Sequence, residues 1–264
     1  MNKITAIKGI KDILPHDAPI WHAVEIAARD VFARFGFREI RVPIMEKTVL
    51  FQRSIGETTD IVEKEMYTFR DRDDELLTLR PEATASIIRA FIEHNMSAFD
   101  PVTKLFTFGP MFRRERPQKG RFRQFHQIDA ELFGDDTPWA DTEVIFMLIH
   151  FLETLGLHQL SVEINSLGCR DCRPQFSKAV VDYLKGSEEA LCPDCRRRIQ
   201  TNPLRVFDCK VESCASVISA APLIPDYLCA GCAGHFSLVK ALLTDLDVSF
   251  TVNPKMVRGL DYYT

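Results

Sequence analysis

The sequence predicts an α+β fold, a mainly antiparallel sheet flanked by helices and interrupted by a cysteine-rich, mostly helical insertion. Three observations carry this. Apolar residues recur at helical spacing in some segments and alternate in others. Two long strand patterns, Lys104–Phe112 and Phe122–Phe133, enclose a short basic loop. All eight cysteines fall between Cys169 and Cys232. The chain has 264 residues, 46% hydrophobic and 27% charged. That is a globular composition, large enough for one domain with an insert or for two domains.

The elements follow in order. Asp17 caps a first helix, Pro19 suits its first turn, and Ile20, Val24, Ala27, Val31 and Phe35 share one face until Gly36 ends it. Residues 38–45 alternate, with Ile40, Val42 and Ile44 on one face, which predicts a strand. Pro43 lies inside it and has no N–H for a ladder, so this strand is expected at an edge or against another subunit. Met66–Arg70 and Leu76–Arg80 read as two strands around the polar turn 71–74. Ala83–His94 reads as a helix with Ile87, Ala90 and Phe91 inward. Asp141–Leu155 is a second amphipathic helix, closed by Gly156. Leu160–Asn165, Val248–Val252 and Lys255–Thr264 read as strands. The expected core is 1–165 plus 247–264, and the expected insertion is 166–246.

Several classes are excluded or disfavoured. The longest apolar run, Val144–Ile149, is too short to cross a bilayer. The N-terminus has no apolar segment before a cleavage site, so a cytoplasmic location with no membrane partner is expected. A net charge of −4 does not advertise nucleic-acid binding by the surface as a whole. There is no Gly-rich phosphate loop and no dinucleotide fingerprint, so ATP, if used, is held by arginines on a sheet.

Four constellations stand out. Six of the eleven residues from Arg113 to Arg123 are basic, and Phe112, Phe122 and Phe125 flank them. Arginine beside phenylalanine suits a phosphate plus a stacked base, although most charge runs are solvated hairpin tips. Glu82 and Thr84 of Arg80-Pro-Glu-Ala-Thr84 open a helix, where an acidic first turn and cap are the ordinary reading. Gln127, Asp129 and Glu131 share one strand face, with Ile128, Ala130 and Leu132 on the other. An amide and two acids suit a cationic ligand, or a solvated face. Arg258-Gly-Leu-Asp-Tyr-Tyr-Thr264 places an Arg–Gly pair, Asp and two tyrosines in a strand.

Together these segments resemble the catalytic domain of class II aminoacyl-tRNA synthetases, specifically the histidyl-tRNA synthetase family. Gly9-Ile-Lys-Asp-Ile-Leu-Pro15 resembles the family's opening. Arg41-Val-Pro43 resembles motif 1, which forms the dimer interface in this class. Phe51–Phe69 with Arg80–Thr84 resembles a segment typical of histidine enzymes. Phe112–Glu131 resembles motif 2, and Arg258–Tyr263 the histidine signature.

The resemblance implies a class II synthetase-like antiparallel sheet and a histidine–tRNA ligase. Such an enzyme activates histidine with ATP, carried with Mg2+, and passes the histidyl group to the 3' end of tRNA(His). It implies Arg113 and Arg258 as catalytic residues on the α-phosphate, with Arg113, Glu115, Arg121 and Phe125 binding ATP. Glu82, Thr84, Gln127, Glu131, Arg258, Tyr262 and Tyr263 would bind histidine, and Arg116, Gln118 and Lys119 the acceptor end of tRNA(His). A homodimer is implied. The family pattern continues past the signature into motif 3 and an anticodon-binding domain. The chain stops at Thr264, so it is expected to be a catalytic portion without that domain. The alternative is a non-catalytic synthetase-like regulatory subunit of ATP phosphoribosyltransferase. Arg113, Glu131, Arg258 and Tyr263 favour the ligase.

The cysteines have their own pattern. Cys169-Arg-Asp-Cys172 and Cys192-Pro-Asp-Cys195 are separated by nineteen residues, a zinc spacing. They are expected to form one four-thiolate structural zinc site, and Cys209, Cys214, Cys229 and Cys232 a second set. Free thiols are the rival reading, since disulfides are rare in a reducing compartment. Arg196–Arg198 reads as a solvated helix face, with contact to tRNA as the lesser alternative.

Overall fold

Helix α1 (Ala18–Arg34) carries Pro19 in its first turn and ends before Gly36, whose φ of +80° suits a residue without a Cβ. Asp17 occupies the cap position, but its side chain makes no capping bond. The helix buries Ala28, Val31 and Phe32, whereas Ile20 is 67% exposed. The computed structural model describes residues 3–55 and 61–257, so residues 56–60 and the Arg258–Tyr263 signature, with its candidates Arg258, Tyr262 and Tyr263, lie outside the described residues.

The alternating stretch 38–45 is not one strand. It divides into β1 (Arg38–Glu39) and β2 (Met45–Lys47), which belong to different sheets. The Ile40 N–H still bonds to the Phe106 carbonyl, and the Ile44 carbonyl accepts from the Arg80 N–H. Between them lies Pro43, which has no N–H to offer either ladder. The chain changes sheets where a proline could not have been paired.

Helix α2 (Thr48–Ile55) leads toward β3 (Tyr67–Arg70) and β4 (Leu76–Leu79), which pair antiparallel, with β2 on the other side of β4. Helix α3 (Thr84–Glu93) buries Ile87 and Ala90, and its Phe91 stacks on Phe133 at 4.2 Å. Strands β5 (Thr103–Phe112) and β6 (Gln124–Phe133) form an antiparallel pair in register from Thr103 opposite Phe133 to Phe112 opposite Gln124. β1 adds to β5 in parallel, so this sheet is mixed. Helix α4 (Pro138–Thr154) begins three residues before the expected Asp141.

Apolar clusters lie on both faces of the β1-β5-β6 sheet. On one, Phe106, Ile128, Ala130 and Leu132 pack with Ala28, Val31 and Phe32 of α1 and with Met147 and Phe151 of α4. On the other, Leu105, Met111, Phe125 and Phe133 pack with Val42, Ala83, Ile87 and Ala90.

The chain divides into two compact units. One holds the residues up to Asp136 with Glu143–His158, and the other holds Thr137–Thr142 with the residues from Gln159 onward. The second unit contains β7 (Glu163–Ile164), α5 (Cys172–Lys185), α6 (Pro193–Thr201), α7 (Glu212–Ser219), α8 (Ala230–Asp245) and β8 (Thr251–Val252). β7 and β8 are shorter than the alternation predicts, and they pair in parallel with each other, while residues 255–257 form no strand. The core of this unit is Phe176, Val180, Leu184, Leu191, Ile199, Val206 and Ile224, with Cys195 and Cys214 among them. Arg196 and Arg197 are exposed and Arg198 is half-buried, and two of the three also bond to carbonyls. Arg196 donates to the Leu191 and Glu189 carbonyls, and Arg198 to the Arg205 carbonyl. Among the described residues no single helix is long and apolar enough to cross a membrane.

Candidate active site

Period-two geometry on β6 separates two chemistries. Ile128, Ala130 and Leu132 enter the apolar cluster, as the alternation predicts. Gln127, Asp129 and Glu131 point the other way, toward the start of α3. There Glu82 is only 4% exposed. Its Oε1 accepts from the Ala85 N–H at 2.9 Å, the helix-capping role. Its Oε2 is buried and has no partner among the described residues. Thr84 Oγ1 donates to Glu131 Oε1 at 2.6 Å, joining α3 to β6. Gln127 Oε1 and Asp129 Oδ2 are likewise buried without a partner among the described residues.

Three acids in one water-poor space disturb each other. Burial, then the Glu131 and Glu82 charges, pushes Asp129 up to about 7. Burial also raises Glu82 and Glu131, although hydrogen bonds from Ala85 and Thr84 to Glu82, and from Thr84 to Glu131, work in the opposite direction.

Arg80 and Arg113 supply the counter-charge. Arg80 is 3% exposed and donates to the Pro110 and Val42 carbonyls, each at 3.0 Å. Gly109 makes room for it, since a Cβ there would lie 2.5 Å from Arg80 Nη2. Arg113 Nε donates to the Pro81 carbonyl at 2.9 Å, and its guanidinium sits 5.1 Å from the centre of the Phe125 ring. Arg80 is the neighbour of this face that sequence reasoning gave no role. Asp129 reads in the sequence as one of two acids suited to a cationic ligand, and the alternation holds that signal.

The loop between β5 and β6 is a tight turn. Gln118 and Arg121 exchange backbone bonds at 3.2 and 3.0 Å, and Gly120 turns the corner at φ +79°. Arg116, Gln118 and Lys119 are exposed there. Glu115 and Arg121 pair with each other at 3.1 Å, so two of the ATP candidates are mutual partners in this state. The opening segment packs on the loop. The Gly9 carbonyl accepts from the Arg123 N–H at 2.7 Å, and Lys11 Nζ lies 4.5 Å from the centre of the Phe122 ring. A side chain at Gly9 would press against Pro117 and Arg123.

The eight cysteines can hold metal ions, but not in the expected sets. Cys169 and Cys172 gather with Cys229 and Cys232, and Cys192 and Cys195 gather with Cys209 and Cys214. The set Cys169, Cys172, Cys192 and Cys195 is therefore corrected. The reason is topological: the start of α5 meets the start of α8, and the start of α6 meets the residues around α7. Backbone amides directed at sulfur bring the Cys169 and Cys192 thiols down to about 7.

Comparison with solved structures defines the class. The chain superposes on apo histidyl-tRNA synthetase of S. aureus with a TM-score of 0.78 and 37% identity, covering 99% of this chain and 60% of that one. The fold is α+β, of the class II synthetase type. A Bacillus halodurans protein described as an ATP phosphoribosyltransferase regulatory subunit/histidyl-tRNA synthetase shares the fold at TM-score 0.65 and 19% identity. The family model for histidyl-tRNA synthetase matches residues 9–171. The chain belongs to the histidyl-tRNA synthetase family. It is 59% identical to a histidine–tRNA ligase of Desulfosudis oleivorans over 98% of this chain and 61% of that protein. It is 56% identical to one of Syntrophotalea carbinolica over 99% of this chain and 62% of that protein. The chain thus spans about three fifths of the length of these relatives.

Proposed function

We propose that the chain carries the amino-acid-activating core of a histidine–tRNA ligase. The observation that carries this is the half-buried β6 face beside Glu82, where the buried atoms Glu82 Oε2, Gln127 Oε1 and Asp129 Oδ2 lack partners among the described residues. Buried acceptors without donors suit a ligand that brings N–H groups and positive charge. Histidine brings an α-ammonium and two ring nitrogens. Glu82, Thr84 and Gln127 receive the amino-acid backbone, and Glu131, with Tyr262 and Tyr263 of the signature, holds the imidazole. A site built to satisfy ring N–H groups rejects analogues without them, because its own buried acceptors are then left unpaired.

The histidine carboxylate attacks the α-phosphorus of ATP, which arrives with Mg2+ as substrate, and pyrophosphate leaves. Arg113 and Arg258 stabilise the charge that develops on the phosphorus centre. Phe125 offers a ring to the adenine, with Glu115 and Arg121 at its edge and toward the outer phosphates. The terminal ribose hydroxyl of tRNA(His) then attacks the activated carbonyl and AMP leaves. Arg116, Gln118 and Lys119 meet the acceptor end, mainly through phosphate. A second copy of the chain pairs across Arg41–Pro43, where the neighbouring Ile44, Met45 and Val49 are exposed. The enzyme works in the cytoplasm, and its cysteine-rich unit carries structural zinc.

Histidine-dependent exchange of pyrophosphate into ATP, on a chain extended to the length of its relatives, tests this. Glu131→Gln is expected to raise the KM for histidine at least tenfold while leaving the KM for ATP within twofold. Unchanged histidine use would overturn the assignment. Absence of exchange in the unsubstituted chain would favour a regulatory role.

A further inference from the structure

We propose that the second unit binds two zinc ions in nested four-thiolate sites, an outer one on Cys169, Cys172, Cys229 and Cys232 and an inner one on Cys192, Cys195, Cys209 and Cys214. This rests on the assignment of structural zinc to the unit, and goes beyond it in the number of ions and in which thiolates share each one.

The geometry supports it in three independent ways. Within each set the four sulfurs lie within 4.8 Å of one another. Tetrahedral zinc with Zn–S bonds of about 2.3 Å places its sulfurs about 3.8 Å apart. Cys169 Sγ and Cys172 Sγ are 3.6 Å apart, and Cys192 Sγ and Cys209 Sγ 3.8 Å, while all eight thiols are free of disulfides.

Backbone amides also converge on the sulfurs. The Cys229 N–H points at Cys172 Sγ at 3.1 Å, and the Cys192 N–H at Cys214 Sγ at 3.2 Å. Each joins the two halves of its set. The Val211 N–H adds a contact to Cys209 Sγ at 3.4 Å, and the Cys232 N–H one to Cys229 Sγ at 3.5 Å. Cys192 and Cys229 occupy helix N-caps, and Cys172 is the first residue of α5, positions where the helix dipole favours an anion.

The third support is steric. Gly168 has φ +67°, and a Cβ there would lie 2.7 Å from Cys172 Cβ and 3.4 Å from its sulfur. The turn that delivers Cys169 and Cys172 to one point is closed tightly enough to require glycine.

The two sites differ in surroundings. Cys195 and Cys214 are fully buried in the apolar core of the unit. The other set includes the exposed Cys229 and fastens the start of α5 to the start of α8, enclosing the inner set in sequence. Four thiolates in tetrahedral array and no other ligand type select zinc among redox-inert ions.

Metal analysis of the chain purified under reducing conditions without chelator is expected to give two zinc ions per chain. The decisive variant is C169S/C172S/C229S/C232S. Nested sites leave it one zinc, whereas sites formed from sequence neighbours leave it none. Should that variant fail to fold, cadmium-113 exchange into the unsubstituted chain gives the same answer. Two resonances in the four-thiolate range are expected, with Cys169 and Cys229 β-protons correlated to one and Cys192 and Cys209 to the other. No zinc and no cadmium uptake would overturn both this pairing and the structural zinc. Two irons in place of two zincs would overturn the structural zinc and leave the pairing standing. One zinc per chain, a zinc-free quadruple variant, or cadmium shared between Cys169 and Cys192 would overturn the pairing alone.

Discussion

Around β6 of the first unit, three carboxyl groups and two guanidiniums share a largely desolvated space, with Arg80 and Glu82 buried and Asp129, Glu131 and Arg113 half-buried, whereas the buried polar atoms of the second unit include thiols set among Phe176, Val180 and Leu184. The difference lies in what each set contributes before a ligand arrives. Burial and mutual repulsion raise the acids of the first unit, so they cost stability that the surrounding sheet and helices supply. The thiols of the second unit lie close enough to repel once ionised, and a metal ion turns that repulsion into a crosslink. One unit is folded around acids whose burial costs stability. The other is a modest helical core whose proposed ions hold its helices together.

The largest expected effect breaks this comparison most directly. Structural zinc contributes about 10–16 kcal/mol in small zinc-binding peptides, comparable to the whole stability of a domain. Stripping metal with a strong chelator is expected to expose the amides of α5, α6 and α7 to near-complete hydrogen exchange. Amides of β5 and β6 should keep their protection within a few-fold. Hydrogen exchange followed by mass spectrometry reads both at once. Equal loss in the two units would mean that they do not differ in what stabilises them.

Arg80→Met tests the other side. It removes donors from the Val42 and Pro110 carbonyls and the cation nearest Asp129. Removing one partner from a buried charged set costs about 3–5 kcal/mol. Urea unfolding at pH 7 is expected to show a loss of that size in the first unit, with the zinc content unchanged. A loss below about 1 kcal/mol would show that the acids do not depend on Arg80.

These two sites were legible in the sequence to different depths. Alternation on β6 revealed the face of Gln127, Asp129 and Glu131, because side-chain direction follows from a period of two. It did not reveal how far these residues are desolvated, which depends on α3 packing over the strand. Arg80 reads as an ordinary charged strand end until Gly109, distant in sequence, leaves room for its guanidinium. The cysteines show the same limit. C-x2-C spacing is a local property and marked the ligands, but which pairs meet depends on how α5 folds back to α8. The proline in 38–45 was legible as a ladder breaker, yet its consequence, a change of sheet, required knowing that β4 lay within reach of Ile44.

Asp129 gives a smaller, pH-dependent effect. Its pKa rises from 3.8 to about 7 in the folded chain. Between these values the unfolded chain has released the proton and the folded chain has kept it. Stability therefore falls as pH rises across this window, by on the order of 2–4 kcal/mol, and then levels off. Asp129→Asn is expected to stabilise the first unit by up to that amount at pH 8 and to be nearly neutral at pH 4. Thermal melts at the two pH values check it. Destabilisation at pH 8 would place the ionised carboxylate in a favourable pairing instead.

The smallest effect on folding belongs to the exposed loop, which neither buried set touches. Lys119 is exposed beside a turn that closes through backbone bonds between Gln118 and Arg121. Lys119→Ala is expected to change stability by less than about 0.5 kcal/mol, the usual range for a surface site. Histidine-dependent pyrophosphate exchange should likewise stay within twofold, because that half-reaction needs no tRNA. Binding of tRNA(His) should weaken, and the slope of log affinity against log salt should shrink by about 0.7–0.9, one phosphate contact. Filter binding across a salt series measures this against Arg116→Ala, which should behave alike. An unchanged slope in both variants would remove the loop from the proposed tRNA surface while leaving the proposed histidine face untouched. Two regions that neighbour each other on one hairpin would then serve a single half-reaction.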